Sequence, residues 1–388
     1  MTRFSTKISI FVFILIVIGG FFVNASAAEV LQDKIITVRA KVVDVQTKAA
    51  VPLYGLDVPS PNQTITVEIL KGENKGKIIS LDNDYVQLKK GDVFFLSTTI
   101  HAGDDNPYYS VAEPDRLPTL IFFAALFLLL VFLIGGKQGL RGVVTLVGSF
   151  ALIFYVLLPG ILNGYSPILI TIGVSSLIIV LGSYVTHGFN KTTSAAVVGM
   201  ITTVVITGIL AYIAIHSAKF TGYASDEAVY LSMNARGHID MLGLLFGGIM
   251  IGLLGILYDV AISQAVSVEE LHHIAPHVPR KDIFKRAMRI GREHIGALVD
   301  TLAIAYAGAS LPLLLLFSTP PVDVGLILNR EIFATEIIRI LIGSIGIILA
   351  VPITTLLAVF ILVKIKGDNN DYLLKQEQKT LDEYRHHH

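Results

Sequence analysis

The chain of 388 residues contains no cysteine and no tryptophan. Without thiols there is no disulfide framework, no thiolate metal centre and no cysteine nucleophile. Without tryptophan, anchoring at a membrane interface falls to tyrosines such as Tyr155, Tyr165, Tyr184 and Tyr258. Charge is scarce as well: charged residues make up 15% of the chain, and 30 cations balance 30 anions. That balance gives no bulk field to draw a nucleic acid, and no such partner is expected. The chain also lacks a Walker-type glycine-rich loop, so a nucleotide is not expected as a cofactor, and neither is any other group.

What remains is apolar. Hydrophobic residues are 53% of the sequence, more than a soluble core requires, which places the chain in the membrane class with the lipid bilayer as its first partner. At the start, Arg3 and Lys7 precede an apolar run over 8–23 and then Ala25-Ser26-Ala27, so residues 1–28 read as a signal peptide or a retained N-terminal anchor. Residues 29–115 differ in character. β-Branched, partly alternating runs at 35–45, 64–70, 77–81, 92–99 and 108–112 are separated by turn signals at 59–62, 71–76 and 90–92. Their rhythm predicts a small all-β, OB-like barrel outside the cytoplasm, serving as a spacer or oligomerisation domain rather than a dedicated ligand-binding one.

Residues 116–366 form the transmembrane helical domain, with expected spans at 118–135, 142–158, 166–186, 193–215, 241–267, 295–317 and 332–363, each near the length a bilayer core requires. The expected fold is thus an all-α polytopic membrane helix bundle of about seven spans joined to the β domain. Lysine and arginine placement orients it. Putting residue 115 outside leaves Lys137, Arg141, Lys191, the cations of 268–294 and Lys364 and Lys366 inside, against only Lys219, Arg236 and Arg330 outside. The tail over 367–388 is therefore expected in the cytoplasm, and its closing His386, His387 and His388 are left out of any site.

Loop 268–294 reads as a basic amphipathic helix. Pro276 and Pro279 bracket a turn, Asp282 is the expected N-cap, and Ile283, Phe284, Ala287, Met288 and Ile290 recur at helical spacing beside Lys285, Arg286, Arg289 and Arg292. Such a basic face is expected to lie on anionic headgroups.

Two apolar spans carry acids, and a carboxylate at membrane depth is a functional hypothesis by default. In the fifth, Gly248, Gly252, Gly255, Asp259 and Ser263 follow at intervals of three or four; in the sixth, Ala297, Asp300, Ala303, Ala307 and Ser310 do the same. Small-residue stripes let helices approach, so both acids are expected to point at a neighbouring helix at a similar depth. With Tyr258, Gln264 and Thr301 they make a polar layer on the cytoplasmic side, able to relay a proton or hold a hard cation. The blander alternative is that each acid only orients the bundle. On the external side Asn329, Glu331, Glu336, Arg339 and Asp240 form a second layer, with Glu336 and Arg339 paired as i and i+3, serving transport or simply pinning the helices. His272, His273 and His277 have metal-like spacing, yet with no convincing supporting ligands they read as solvated, and no metal is expected. Tyr258-Asp259 followed by Asp300 partly matches intramembrane aspartyl proteases, but Ala297-Leu298-Val299 does not supply the Gly-x-Gly that should precede the second acid.

The run from Gly255 to Gln264 (Gly-Ile-Leu-Tyr-Asp-Val-Ala-Ile-Ser-Gln), then Gly291-Arg292-Glu293, the run from Asp300 to Pro312, Asn329-Arg330-Glu331 and Glu336-Ile337-Ile338-Arg339 resemble the YibE/F family of bacterial multi-pass membrane proteins across roughly 118–363. The resemblance implies a plasma-membrane location and carries over no catalytic residues. Asp300 stands where it leads one to expect Asn, which puts the weight on Asp259. The expected function is transport of a small solute or ion, coupled to protons or a cation, by a non-enzymatic permease. A receptor or assembly scaffold is the alternative, and a second membrane subunit of the same family or another copy of the chain is the expected protein partner.

Overall fold

A computed structural model describes residues 34–48, 62–100, 107–235, 238–316, 318 and 323–363. The expected signal peptide, the turn signal at 59–61 and the tail lie outside the described residues. The chain divides into two compact units that meet in sequence between Ile134 and Gly135.

In the first unit, five strands form one antiparallel sheet: β1 Lys34–Thr47, β2 Gln63–Ile69, β3 Ile78–Asn83, β4 Val93–Ile100 and β5 Tyr108–Pro114. Each falls on one of the runs expected from the sequence. The order is β3-β2-β1-β4-β5, with the 14-residue β1 at the centre pairing β2 along one edge and β4 along the other. Alternation puts Ala40, Val42, Ile65, Val67, Ile69, Leu81, Phe94 and Leu96 on one buried face, closed by Leu88. Burial of each of the larger chains stabilises by roughly 1.5–3 kcal/mol. The expected closed barrel is instead a half-barrel. Among the described residues no ladder joins β3 to β5, and polar side chains close the sheet's end beside β3. Buried Gln63 accepts from the Leu88 amide at 2.9 Å and donates to its carbonyl at 3.0 Å, while Asn83 donates to Gln63 at 3.2 Å and to the Val86 carbonyl at 2.7 Å. At the exit to the first helix, Arg39 on β1 pairs with the buried carboxylate of Asp115, and Arg116 pairs with Glu113 at 2.6 Å.

The helices follow as α1 Leu117–Leu152, a π turn at Ile153–Leu157, α2 Leu158–Leu162, α3 Pro167–His187, α4 Lys191–Ser217, α5 Asp226–Asn234, α6 Met241–Ile274, α7 Arg280–Ala309, α8 Leu311–Leu316, α9 Val324–Asn329 and α10 Glu331–Leu362. Among the described residues, five helical segments are long and apolar enough to cross a membrane: Leu117–Leu162, α3, α4, α6 and α10. Two features separate this from the seven expected. The first two expected spans fall in one segment, but Gly136 between them adopts φ 53°, ψ −139°, a conformation that glycine alone tolerates easily, and there the segment breaks into two helices, at the boundary expected. The sixth lies inside α7, whose first half is strongly charged.

The second unit is built on α4, α6 and α10, packed on one another, with α3 beside α4 and α6 and with α7 against α10 and α6. The core includes Met200, Val204, Ala211, Ile215, Phe246, Ile249, Met250, Leu253, Leu257, Ile347, Ala350 and Val351. A packing device recurs at its seams. Buried hydroxyls without a hydrogen-bond partner among the described residues sit on glycines of a neighbouring helix: Thr354 on Gly199, Thr207 on Gly346 and Thr171 on Gly247. A methyl added to these glycines would lie 2.6, 3.0 and 2.8 Å from the respective hydroxyl oxygens. The absent side chain lets the backbones close up, and the glycine Cα–H faces the oxygen as a weak donor.

Candidate functional site

The acids lie on the α6–α7 hairpin. α6 runs to Ile274 and α7 begins at Arg280, so the expected cytoplasmic loop 268–294 is almost entirely helix, turning only over Ala275–Pro279. α7 continues without interruption from the basic segment into the expected sixth span. The stripe Ile283, Ala287, Gly291, Ile295, Leu298, Leu302 and Tyr306, buried or half-buried throughout, runs along it. This corrects the picture of a separate surface helix. Lys285, Arg286, Arg289 and Arg292 are exposed on the far side of a helix whose other face is already committed to the bundle. Asp282 is also not the cap: Pro279 holds that position, and Asp282 sits in the first turn, where its charge suits the helix dipole.

Two contacts fix the register of the antiparallel pair. Near the turn, buried Gln264 on α6 donates to the Ala287 carbonyl on α7 at 2.8 Å, with Gly291 leaving room for its side chain. At the other end, the Tyr306 hydroxyl of α7 rests against Gly252 of α6. Asp259 lies between Gly252 and Gln264, and Asp300 between Gly291 and Tyr306, so both acids fall in the interval these contacts bound. Neither is covered. Asp259, Ser263, Asp300 and Thr301 are exposed, and neither acid makes a hydrogen bond or ion pair among the described residues. The expectation that the two stripes bury their acids against a neighbouring helix is therefore corrected. α6 buries the face carrying Leu253, Leu257, Val260 and Gln264; along the stripe Tyr306 covers Gly252, while Gly248, Gly255, Asp259 and Ser263 are exposed. Tyr258 leaves this layer for α3, its hydroxyl reaching the Gly182 carbonyl at 3.4 Å, and the Thr301 hydroxyl turns back to the Ala297 carbonyl at 2.7 Å.

At the other end of the hairpin the expected second layer separates into parts. Glu336 and Arg339 of α10 pair at 3.0 Å, both half-buried, and the Arg339 guanidinium lies 5.6 Å from the ring centre of Tyr306. A Cβ built on Gly248 would meet Arg339 Nη2 at 3.9 Å and nothing closer. Thus α6, α7 and α10 converge on one cation. Glu331 does something else: its carboxylate accepts from the Thr221 amide, the Thr221 hydroxyl and the Gly222 amide, each at 2.8 Å, tying the loop after α4 to the start of α10. Asp240 caps α6 by accepting from the Gly243 amide at 3.0 Å, and Asn329 is exposed at the end of α9. His272 and His273 lie in the last turn of α6 and His277 in the hairpin turn. Among the described residues no three His, Cys, Asp or Glu side chains gather as a metal set.

One residue stands out that sequence reasoning counted only as a topology signal. Arg280, the first residue of α7, donates from Nε to the Val363 carbonyl at 2.8 Å and from Nη2 to the Phe360 carbonyl at 3.1 Å, and stacks 5.4 Å from the Phe360 ring centre. A cation on the last carbonyls of α10 satisfies orphan acceptors and matches the helix dipole.

A bundle of long apolar helices with charged groups at mid-helix positions marks a helical membrane protein. Residues 123–364 match the family model for YibE/F-like protein, which is more than half of the chain, and the chain belongs to that family. No curated protein and no solved structure matches it.

Proposed function

We propose that this membrane protein is a permease that moves a small solute or ion, coupled to protons or a cation, without enzymatic chemistry of its own. The observation that carries this reading is the state of Asp259 and Asp300. A carboxylate at membrane depth that serves only to hold helices together is tied to a partner within the fold. These two lie in the same interval of the hairpin, beside Ser263 and a row of glycines, and are left open. Open acids on a small-residue track are available to a proton or a hard cation, and they require water or a second subunit rather than lipid in front of them. A second membrane subunit of this family, or another copy of the chain, supplies that wall. The β domain faces outward and the turn of the hairpin faces the cytoplasm, an orientation supported by the cations of α7 and the sparse positive charge at the opposite ends.

Proton or cation flux into proteoliposomes tests the reading. Asp259→Asn should abolish flux while the purified protein stays folded; unchanged flux in that variant removes the support. Removing residues 29–115 separates this reading from a receptor: a permease keeps part of its flux, whereas a sensor loses its response altogether.

A further inference from the structure

α5 joins the end of α4 to the start of α6, and its nine residues are too few to cross a bilayer. Its start is nevertheless tied down. Ser225 caps it by accepting from the Ala228 amide at 3.3 Å. The loop before it is held by Glu331 of α10 through Thr221 and Gly222, and a Cβ on Gly222 would lie 2.6 Å from the backbone of Met241, the first residue of α6. Helical periodicity then divides the surface of α5 into three sectors. Ala228, Leu231 and Ala235 pack against the cluster that holds Leu157, Ile161 and Met241. Glu227 and Asn234, seven apart, are polar and exposed. On the remaining side Val229, Tyr230 and Met233 stand 42%, 70% and 74% exposed.

Two properties of this end of the bundle say what covers that side. The turns at 163–166 and 188–190 reverse the chain, so the end of segment Leu117–Leu162, the start of α3, the end of α4 and the start of α6 lie together, and α5 is level with the ends of apolar spans. The exposed tyrosines of this unit gather at the same level. Among its described residues Tyr155, Tyr165, Tyr212, Tyr223 and Tyr230 are exposed, all within about two turns of that end, whereas Tyr184, Tyr258 and Tyr306 are half-buried. Tyrosine collects at the headgroup boundary, where its ring is in apolar surroundings and its hydroxyl is wet.

We infer that α5 is an interfacial anchor whose partner is a phospholipid surface: Val229, Tyr230 and Met233 seat between headgroups and acyl chains, and Glu227 and Asn234 turn to water. The surface continues the lipid-facing sides of the spans that α5 connects. Asp226 shares the apolar side but lies in the first turn, so the inserted stretch is 229–233 and the start of the helix stays among the headgroups. Through Gly222 and Glu331 the anchor fixes the depth of the adjoining ends of α6 and α10. It holds whether or not the protein moves a solute.

The chain has no tryptophan, so one introduced indole reports alone. Tyr230→Trp, Met233→Trp and, as the water-side control, Glu227→Trp are made in the full chain at exposed positions and reconstituted in phosphatidylcholine nanodiscs with or without bromine on the acyl chains. Brominated lipid should quench the first two at least about twofold more than the control, which should emit further to the red and be quenched by acrylamide. Equal lipid quenching in all three, or quenching of the first two by acrylamide alone, overturns the inference. Protection of both from lipid and acrylamide overturns it as well and assigns the face to a protein partner. Where a tryptophan variant fails to fold, Met233→Cys, the only thiol in the chain, carries a nitroxide: relaxation by oxygen above that by an aqueous nickel complex supports the anchor, and the reverse overturns it.

Discussion

Replacing Arg280 by methionine should destabilise the bundle by about 2 kcal/mol, because that side chain closes the end of α10. The change deletes hydrogen bonds of 2.8 and 3.1 Å to the carbonyls of Val363 and Phe360. Bonds from a charged donor contribute about 1.5–3 kcal/mol each, and a half-exposed site argues for the lower end. Stacking on Phe360 adds roughly 0.5 kcal/mol. Two effects oppose the loss. A cation at the first turn of its own helix is unfavourable by roughly 0.5 kcal/mol, and freeing the long side chain returns about 1 kcal/mol of rotamer entropy. The capping bonds win, by about 2 kcal/mol net. Arg280→Lys retains the charge but reaches one carbonyl at a time, and should lose about half as much. The assay is reversible unfolding in mixed micelles followed by far-ultraviolet circular dichroism. Equal stability of the parent and Arg280→Met, or an equal loss in the methionine and lysine variants, would refute the capping argument.

Gly199→Val should prevent assembly of the bundle, since its Cβ would lie 2.6 Å from Thr354 Oγ1 and 3.1 Å from the Thr354 Cα, a backbone atom that cannot turn aside; Gly255→Val, with nothing within 4 Å, should elute as a folded species on gel filtration. Glu331→Gln should speed hydrogen exchange at the Thr221 and Gly222 amides, because a neutral acceptor binds donors about half as strongly; exchange no faster than in the parent would show that the loop is held by something else. In the β unit, hydrogen bonds from Lys48 and Thr64 hold the Asp82 carboxyl below the ordinary aspartate value. Its contribution is therefore present above the unfolded value, about pH 4, and is lost as pH falls through the lowered one; Asp82→Asn should remove that part of the acid sensitivity of exchange at the β2–β3 edge, and an unaltered pH profile would count against the pairing.

The strands were legible because alternation and turn chemistry are local properties, and all five fall on the expected runs. Their failure to close into a barrel was not, since pairing between β3 and β5 is a long-range property that no single run reveals. α7 was misread although its signal is in the sequence. Ile283, Ala287, Gly291, Ile295, Leu298, Leu302 and Tyr306 keep one helical spacing straight through the charged run that had suggested a boundary. A high density of cations marks the exposed face of a helix as readily as a surface loop. The direction of Asp259 and Asp300 could not be read, because a stripe of small residues looks the same whether a helix of this chain covers it or not. The roles of Arg280, Asp240 and Glu331 depend on partners brought in by folding, and only that of Asp240, a polar residue just before an apolar run, had a local signature.

The unbroken course of α7 makes it a lever. From Arg280, pinned on the end of α10, to Tyr306, beside Arg339, the helix rises about 39 Å at 1.5 Å per residue. A tilt of about 5° about the pinned end would carry the tyrosine sideways by roughly 3 Å, enough to lift its hydroxyl off Gly252. The basic start of the helix and the tyrosine beside Arg339 are thus two ends of a single helix.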